Sequence, residues 1–356
     1  MSGTSLDGID AALVSFSNSG QCRLEAFHYQ NFDDEMREQL LSLNQAANNE
    51  IERSELLANH LATLYANSVH ALLLQTGLAS ADIAAIGCHG QTVRHRPDLG
   101  FTVQIGNAAR LAELTGITVV ANFRSRDIAA GGQGAPLVPA FHQAIFSDPT
   151  AHRVIVNIGG ISNLSDLPID QPVSGFDCGP GNLFMDAWMY RHTGQHYDRD
   201  GAWAATGRVI PDLLASLMSH PFLALTPPRS TGRDTFHMAW LDSLLDPTYT
   251  PADVQATLLA HTAACIADSI DSYCSDATEI YLCGGGAHNR ALVTRLRTLL
   301  SGRIIDLTDT LGISADWVEA AAFAWLAGCT LAHIPGNLPS VTGASGSRIL
   351  GAIYPA

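Results

Sequence analysis

Asp177 stands in Gly175-Phe176-Asp177-Cys178-Gly179-Pro180-Gly181-Asn182, a carboxylate just ahead of a glycine–proline turn and a helical stretch. Such a turn is expected to present the side chain at a helix entrance, where it could accept a proton from a substrate hydroxyl or a water. The alternative is a turn aspartate whose oxygens bond backbone N–H groups. Asp186, in the next helix, could be a second carboxylate, a cap or a salt-bridging residue. Two clusters of small residues suit phosphate. In Gly3-Thr4-Ser5-Leu6-Asp7-Gly8-Ile9-Asp10 the glycines let backbone N–H groups approach an anion, and Thr4 and Ser5 add hydroxyl donors. Asp7 could hold a phosphate-bound magnesium through water, although an ordinary polar turn accounts for the same residues. In Cys283-Gly284-Gly285-Gly286-Ala287-His288-Asn289 an apolar strand runs through glycines into a helix, which is a nucleotide-binding geometry. It does not match GxGxxG, and a tight strand-to-helix turn would need glycine anyway.

Amide and hydroxyl side chains at strand ends extend the set. His89, Gln91 and Thr92 follow an apolar strand over 83–88, and Gln104 sits near the end of a strand over 101–105. Amides there suit sugar hydroxyls or an N-acetyl group. Arg124, Arg126 and Asp127 lie beside the glycines of 131–134, where an arginine fork could clamp a carboxylate or phosphate. Each alone also reads as a solvated loop; their convergence points to a site.

Composition narrows the chemistry. The chain has 356 residues, 47% of them hydrophobic, so it can bury a full core as one large or two ordinary domains. A net charge of −15 argues against a nucleic-acid surface or a basic membrane patch. All 19 basic residues are arginine, which excludes a Walker-A lysine, a protein-kinase lysine and any Schiff-base site. Seven scattered cysteines without a CxxC pair read as reduced, mostly buried thiols. The 14 histidines form no HExxH, so no metalloprotease-type site is expected, and the metal ligands stay unknown. The opening MSGTSLDG lacks a signal-peptide pattern and no apolar run reaches membrane-spanning length, so a soluble, cytoplasmic protein is expected.

The elements that must position these residues alternate in type, the α/β pattern. Strands are expected over 9–16, 23–29, 83–88, 101–105, 117–121, 153–157, 162–167, 279–283 and 303–307. Helices are expected over 34–43, 50–76, 107–115, 182–192, 208–219, 251–275, 289–300 and 315–332. In the second of these the apolar stripe reads Leu56, Leu57, His60, Leu61, Leu64. The turn at Gly3–Gly8 has an echo at Gly159-Gly160, where 154–157 feeds a strand over 162–167. Two such hairpins, one opening each half, suggest a duplicated domain with a cleft between.

Taken together and in order, the segments resemble the anhydro-N-acetylmuramic acid kinases of the sugar kinase/heat-shock ATPase/actin superfamily. The matching stretches are MSGTSLDGID (1–10), GCHGQTVRH (87–95), FTVQIGN (101–107), GGQGAPLVPAFHQA (131–144) and VNIGGISNLS (156–165). They continue with GFDCGPGN (175–182), DRDGAWAATG (198–207) and CGGGAHN (283–289), so the likeness spans nearly the whole chain.

The resemblance implies two RNase-H-like, actin/hexokinase-type domains around an interdomain cleft that closes on substrates, here 1–140 and 141–356. It implies ATP- and Mg2+-dependent opening of 1,6-anhydro-N-acetylmuramic acid with phosphorylation of O6 in cell-wall recycling. Asp177 then corresponds to the general base, and Gly3, Thr4, Ser5, Leu6, Asp7, Gly8, Ile9 and Asp10 to the phosphate turn, with Gly159 and Gly160. Gly284, Gly285 and Gly286 would lie near the adenosine, and His89, Gln91, Thr92, Gln104, Arg126 and Glu319 would contact the sugar. A homodimer is implied only by the resemblance. Family members usually carry several residues before MSGTSLDG that form the first strand of the first hairpin, so either the start codon is assigned too late or the first sheet lacks a strand and ATP binding is impaired. They also usually read Asp-Phe-Arg-Arg-Arg-Asp where this chain has Asn122-Phe123-Arg124-Ser125-Arg126-Asp127. The competing readings are an ATP-independent glycosidase using Asp177 and Asp186 as paired carboxylates, and a non-catalytic ATPase switch.

Overall fold

The computed structural model describes residues 1–3, 6–17, 22–232 and 235–356; Thr4 and Ser5 of the expected phosphate turn lie outside them. The chain begins with the hairpin β1 (Gly8–Phe16) and β2 (Cys22–Asn31), then α1 (Asp34–Ser42) and α2 (Glu50–Thr76). Next come β3 (Ile86–Gly87), β4 (Gln91–Arg96), β5 (Phe101–Ile105), α3 (Ala108–Thr115), β6 (Val119–Ala121), α4 (Ser125–Ala129) and α5 (Val138–Phe146). The middle of the chain carries β7 (Arg153–Ile158), β8 (Ile161–Leu167), β9 (Ser174–Pro180), α6 (Leu183–Thr193), α7 (Pro211–Met218) and α8 (Met238–Leu244). It continues with α9 (Pro251–Tyr273), β10 (Glu279–Cys283), α10 (Arg290–Leu299) and β11 (Ile304–Leu307). The end supplies α11 (Val318–Leu331), α12 (Pro339–Thr342) and β12 (Ala352–Tyr354).

These elements form two units, Met1–Ile145 with Trp317–Ala356, and Phe146–Asp316. The division therefore differs from the expected break at 140: the C-terminal stretch returns to the first unit. The reason is α11, which buries Val318, Ala321, Ala322, Phe323 and Leu326. Phe323 and Leu326 share a core with Val120, Phe123 and Leu350. Contact with β3 is close: a Cβ on Gly87 would lie 2.0 Å from the Phe323 carbonyl oxygen, so only glycine lets the helix sit there.

Within the first unit the paired strands fall into β1-β2, β4-β5 and β12-β6-β3, with β3 and β6 parallel. At the chain start, Met1 and Asp10 exchange backbone bonds of 2.7 and 2.8 Å. The core is closed by α2, but not by the stripe expected for it. Leu57, Leu61, Tyr65 and Leu72 point inward with Ala58, Ala62 and Ala66, while Leu56 is 64% exposed and His60 is also outside. Small alanines beside the large residues let the helix approach the β1-β2 hairpin; a stripe chosen by large apolar residues alone lands partly on the wrong face.

In the second unit one sheet runs β11-β10-β7-β8-β9, with β7, β10 and β11 parallel and β8 antiparallel to both its neighbours. That is the RNase-H-like order. Thr250 caps α9 and Pro251 opens it. The helix is buried on nearly all sides, with Val254, Leu258, Ala260, Ala263, Ile266 and Ile270 at 1% exposure or less, and packs against β9, α6, α7 and α10. All seven cysteines are free thiols. No helix among the described residues is long and apolar enough to cross a membrane.

Candidate active site

Asp177 lies inside β9, not in a turn at a helix entrance. Its strand neighbour is Asn163 on β8, and the ladder shifts register between Ser162 and Asn163. Two glycines and a proline within seven residues disguise the strand, yet Gly179 is required there: it takes φ +141°, and a Cβ would press within 3.1 Å of Leu223. Oδ2 of Asp177 accepts from the Thr231 backbone N–H at 2.8 Å and from the Ser230 hydroxyl at 3.1 Å. Burial lifts its carboxyl to about 6, against the pull of those two bonds and of the nearby Arg229 charge. The group is therefore mostly ionised at neutral pH yet close enough to it to take up a proton, the balance a general base needs.

Glycine turns surround the ends of β7, β9 and β10. The N–H groups of Gly181 and Leu183 donate to Gly160 O, and that of Asn182 to Gly159 O, which ties the β7–β8 turn to the start of α6. A Cβ on Gly181 would stand 2.2 Å from Gly159 O. Gly284 takes φ +78°, and Gly285–His288 form a single 3-10 turn before α10. The N-terminus of α10 is occupied by its own cap, Asn289, which accepts from Leu292 N–H at 3.1 Å.

The first unit gathers a second set. A pocket of about 310 Å³ is lined by His89 and Gln104, together with Gly90, Gly106, Asn122 and Ser125 among others. Gln104 lies opposite Thr92 in the β4-β5 ladder and donates to its hydroxyl at 3.2 Å. His89 is buried with both ring nitrogens engaged: Nδ1 meets Gly90 O at 2.7 Å, and Nε2 accepts from the Arg124 guanidinium at 2.9 and 3.1 Å. Burial and the adjacent guanidinium hold the ring well below its ordinary pKa, so it is a neutral imidazole that orients Arg124. Gln91, also buried, donates to Gly3 O at 3.1 Å and braces the N-terminal turn. In that turn Gly8 is confined, since a Cβ would lie 2.4 Å from Gln30 O, and Asp7 is exposed.

Arg124, more than Arg126, is the inward-facing guanidinium. Arg126 is exposed on α4, whereas Arg124 also bonds Gly134 O at 2.8 Å, and burial lowers its pKa to about 10. Glu319, at the start of α11, is coupled to Arg124 and Asp7; burial raises its carboxyl, which Arg124 opposes and Asp7 reinforces. Asp127 is wholly buried and accepts from Gly134 N–H, Asn337 Nδ2 and Thr342 Oγ1 at 2.7–2.8 Å, a structural knot. Sequence reasoning missed Arg229, Ser230 and Thr231, whose segment Pro-Pro-Arg-Ser-Thr-Gly reads as a plain loop.

A sequence model of the family "Anhydro-N-acetylmuramic acid kinase" matches residues 1–356. The chain belongs to that family. It is 58% identical to the anhydro-N-acetylmuramic acid kinase of Nitrosospira multiformis, across 100% of this chain and 98% of the relative. It is 56% identical to that of Nitrosomonas europaea and 53% to that of Pseudomonas fluorescens, each with the same coverage. Among solved structures, component A of the Acidaminococcus fermentans (R)-2-hydroxyglutaryl-CoA dehydratase aligns with a TM-score of 0.45 at 13% identity, over 88% of this chain and 96% of that one. That likeness is too distant to bear on function.

Proposed function

We propose that the protein opens 1,6-anhydro-N-acetylmuramic acid with water and phosphorylates O6 from ATP, giving N-acetylmuramic acid 6-phosphate and ADP in the cytoplasm during cell-wall recycling. The observation that carries this reading is the half-buried Asp177 with one oxygen held and a pKa near neutrality, in a chain of this family. Asp177 accepts a proton from a water as that water's oxygen attacks the anomeric carbon. The bond from that carbon to O6 breaks, and the electron pair left on O6 forms the bond to the γ-phosphorus while the bond to ADP breaks. Capture on phosphorus removes the difficulty of expelling an alkoxide, and the transfer itself needs mainly positioning and charge neutralisation.

The roles of other residues follow from their chemistry. Gln104 and Thr92 beside the pocket suit the sugar's hydroxyl and N-acetyl groups, with Arg124 or Arg126 for its carboxylate and Glu319 for a hydroxyl. The turn over 3–10 and Gly159-Gly160 suit phosphates, and Gly284–Gly286 the nucleoside. No group of three or more His, Cys, Asp or Glu capable of holding a metal occurs among the described residues. A nucleotide-borne Mg2+ needs no such cage, because it keeps several waters and the phosphates, and the exposed Asp7 suits one of those waters. When bound, that ion supplies charge neutralisation at the phosphates.

Purified protein given the anhydro sugar and ATP with Mg2+ should yield a product heavier by one water and one phosphoryl group. Asp177→Asn should lose at least about a hundredfold in turnover, the low end for removing a general base. A hydrated but unphosphorylated product would replace the kinase with the glycosidase reading.

A further inference from the structure

The two oxygens of Asp177 are not equivalent. Oδ2 takes both the Thr231 N–H and the Ser230 hydroxyl, whereas Oδ1 has no hydrogen-bond partner among the described residues. The segment that supplies these donors is itself fastened to β9. Asp177 N–H donates to Arg229 O at 3.1 Å, and Arg229 Nε returns a bond to Asp177 O at 3.0 Å. The rest of the guanidinium bonds Leu223 O, Leu225 O and Ser269 Oγ, at 2.8–3.0 Å. It lies 5.3–5.7 Å from the ring centres of Phe176, Phe222 and Tyr273. Arg229 is 8% exposed and has no carboxylate partner among the described residues. A buried cation satisfied by neutral acceptors is costly, and here it locks residues 229–231 beside the carboxylate.

We infer that Ser230 is a positioning residue: with the Thr231 N–H it holds Oδ2 of Asp177, leaving Oδ1 to take the proton of the attacking water. This rests on the assignment of Asp177 as the base. A free aspartate turns broadly about its last torsion. Two donors converging on one oxygen fix the plane of the carboxylate, and misplacement of a reacting atom by about 1 Å costs on the order of a hundredfold. The same donors favour the ionised form. Arg229 also favours ionisation of this carboxylate, and the adjoining Cys178, on the opposite face of β9, has its thiol pushed up to about 12 by burial. On α9, packed against β9, burial raises Cys265 and Asp268 as well, so neither thiol competes for the proton.

The test uses the full chain with Ser230→Ala, Ser230→Thr and Asp177→Asn. Ser230→Ala should lower kcat about tenfold with the sugar KM within about twofold, and move the acid limb of the pH profile up by about half to one unit. The limb moves upward because a donor to the charged form has been removed. Ser230→Thr keeps the hydroxyl and should recover most of both. Ser230 is exposed, so folding should survive, and the titration midpoint of Asp177 in the free protein, by carbon-13 NMR of its carboxyl, should rise in Ser230→Ala. If Ser230→Ala keeps kcat and the acid limb while Asp177→Asn is dead, the positioning role is wrong and the base assignment stands. A change in KM alone would make Ser230 a sugar ligand and overturn the inference. An active Asp177→Asn would remove the base assignment and this inference with it.

Discussion

Turnover should fall on the acid side of neutrality far earlier than an ordinary aspartate would cause. Burial lifts Asp177 from 3.8 to about 6, and only the carboxylate can take a proton. A group titrating at about 6 is about 97% ionised at pH 7.5 and about 9% ionised at pH 5, so kcat/KM should drop about tenfold between them. A carboxyl left at 3.8 would still be about 94% ionised at pH 5, and the rate would hardly change. The assay is initial formation of the sugar phosphate from pH 4.5 to 8.5, with return to pH 7.5 to show that the enzyme survived. Because phosphates also titrate in this range, the carbon-13 shift of the Asp177 carboxyl without ligands is the second readout. Its midpoint should lie near 6 and be absent in Asp177→Asn. A flat rate down to pH 5, with a carboxyl midpoint near 4, would refute the reasoning.

Asp177→Asn should also stabilise the fold at neutral pH. A carboxyl raised on folding makes the native state the better proton binder, so stability is lost as pH climbs from 3.8 through about 6. The cost above that window is at most about 3 kcal/mol, so the variant's unfolding temperature should exceed that of the parent at pH 7.5 but match it near pH 4. Asp127→Ala should weaken the fold by at least about 3 kcal/mol in denaturant unfolding, since three buried donors lose their acceptor. Gly286→Ala should raise the nucleotide KM at least about tenfold with little effect on the sugar KM, since each 1.4 kcal/mol of lost binding is tenfold. Its Cβ would sit 2.3 Å from Ile158 Cγ2 and 2.8 Å from Asn182 Oδ1, so the turn must move.

Much of the architecture was legible because it rests on local chemistry. Strands β5 and β10 and helix α2 occupy the spans that periodicity and capping residues mark, and most other expected elements lie within a few residues of theirs. Three strands escaped. β4 is Gln-Thr-Val-Arg-His-Arg, too polar to read as a strand, β9 is broken by glycine and proline, and β12 has only three residues. Each is held by a partner strand, which is tertiary information.

The chain's residues alone pointed to Asp177, to the glycine clusters and to the amide-rich strand ends, because catalytic and phosphate-binding roles demand particular side chains at particular spacings. The absence of lysine likewise excluded whole classes of phosphate chemistry without any coordinates. Packing decided what those residues do. It engaged His89 in orienting Arg124, Gln91 in bracing the N-terminal turn and Asp127 in a structural knot, and brought residues 229–231 onto the carboxylate across more than fifty positions of chain. A hydrogen bond or a desolvated charge depends on distance in space, and sequence spacing carries that distance only within an element.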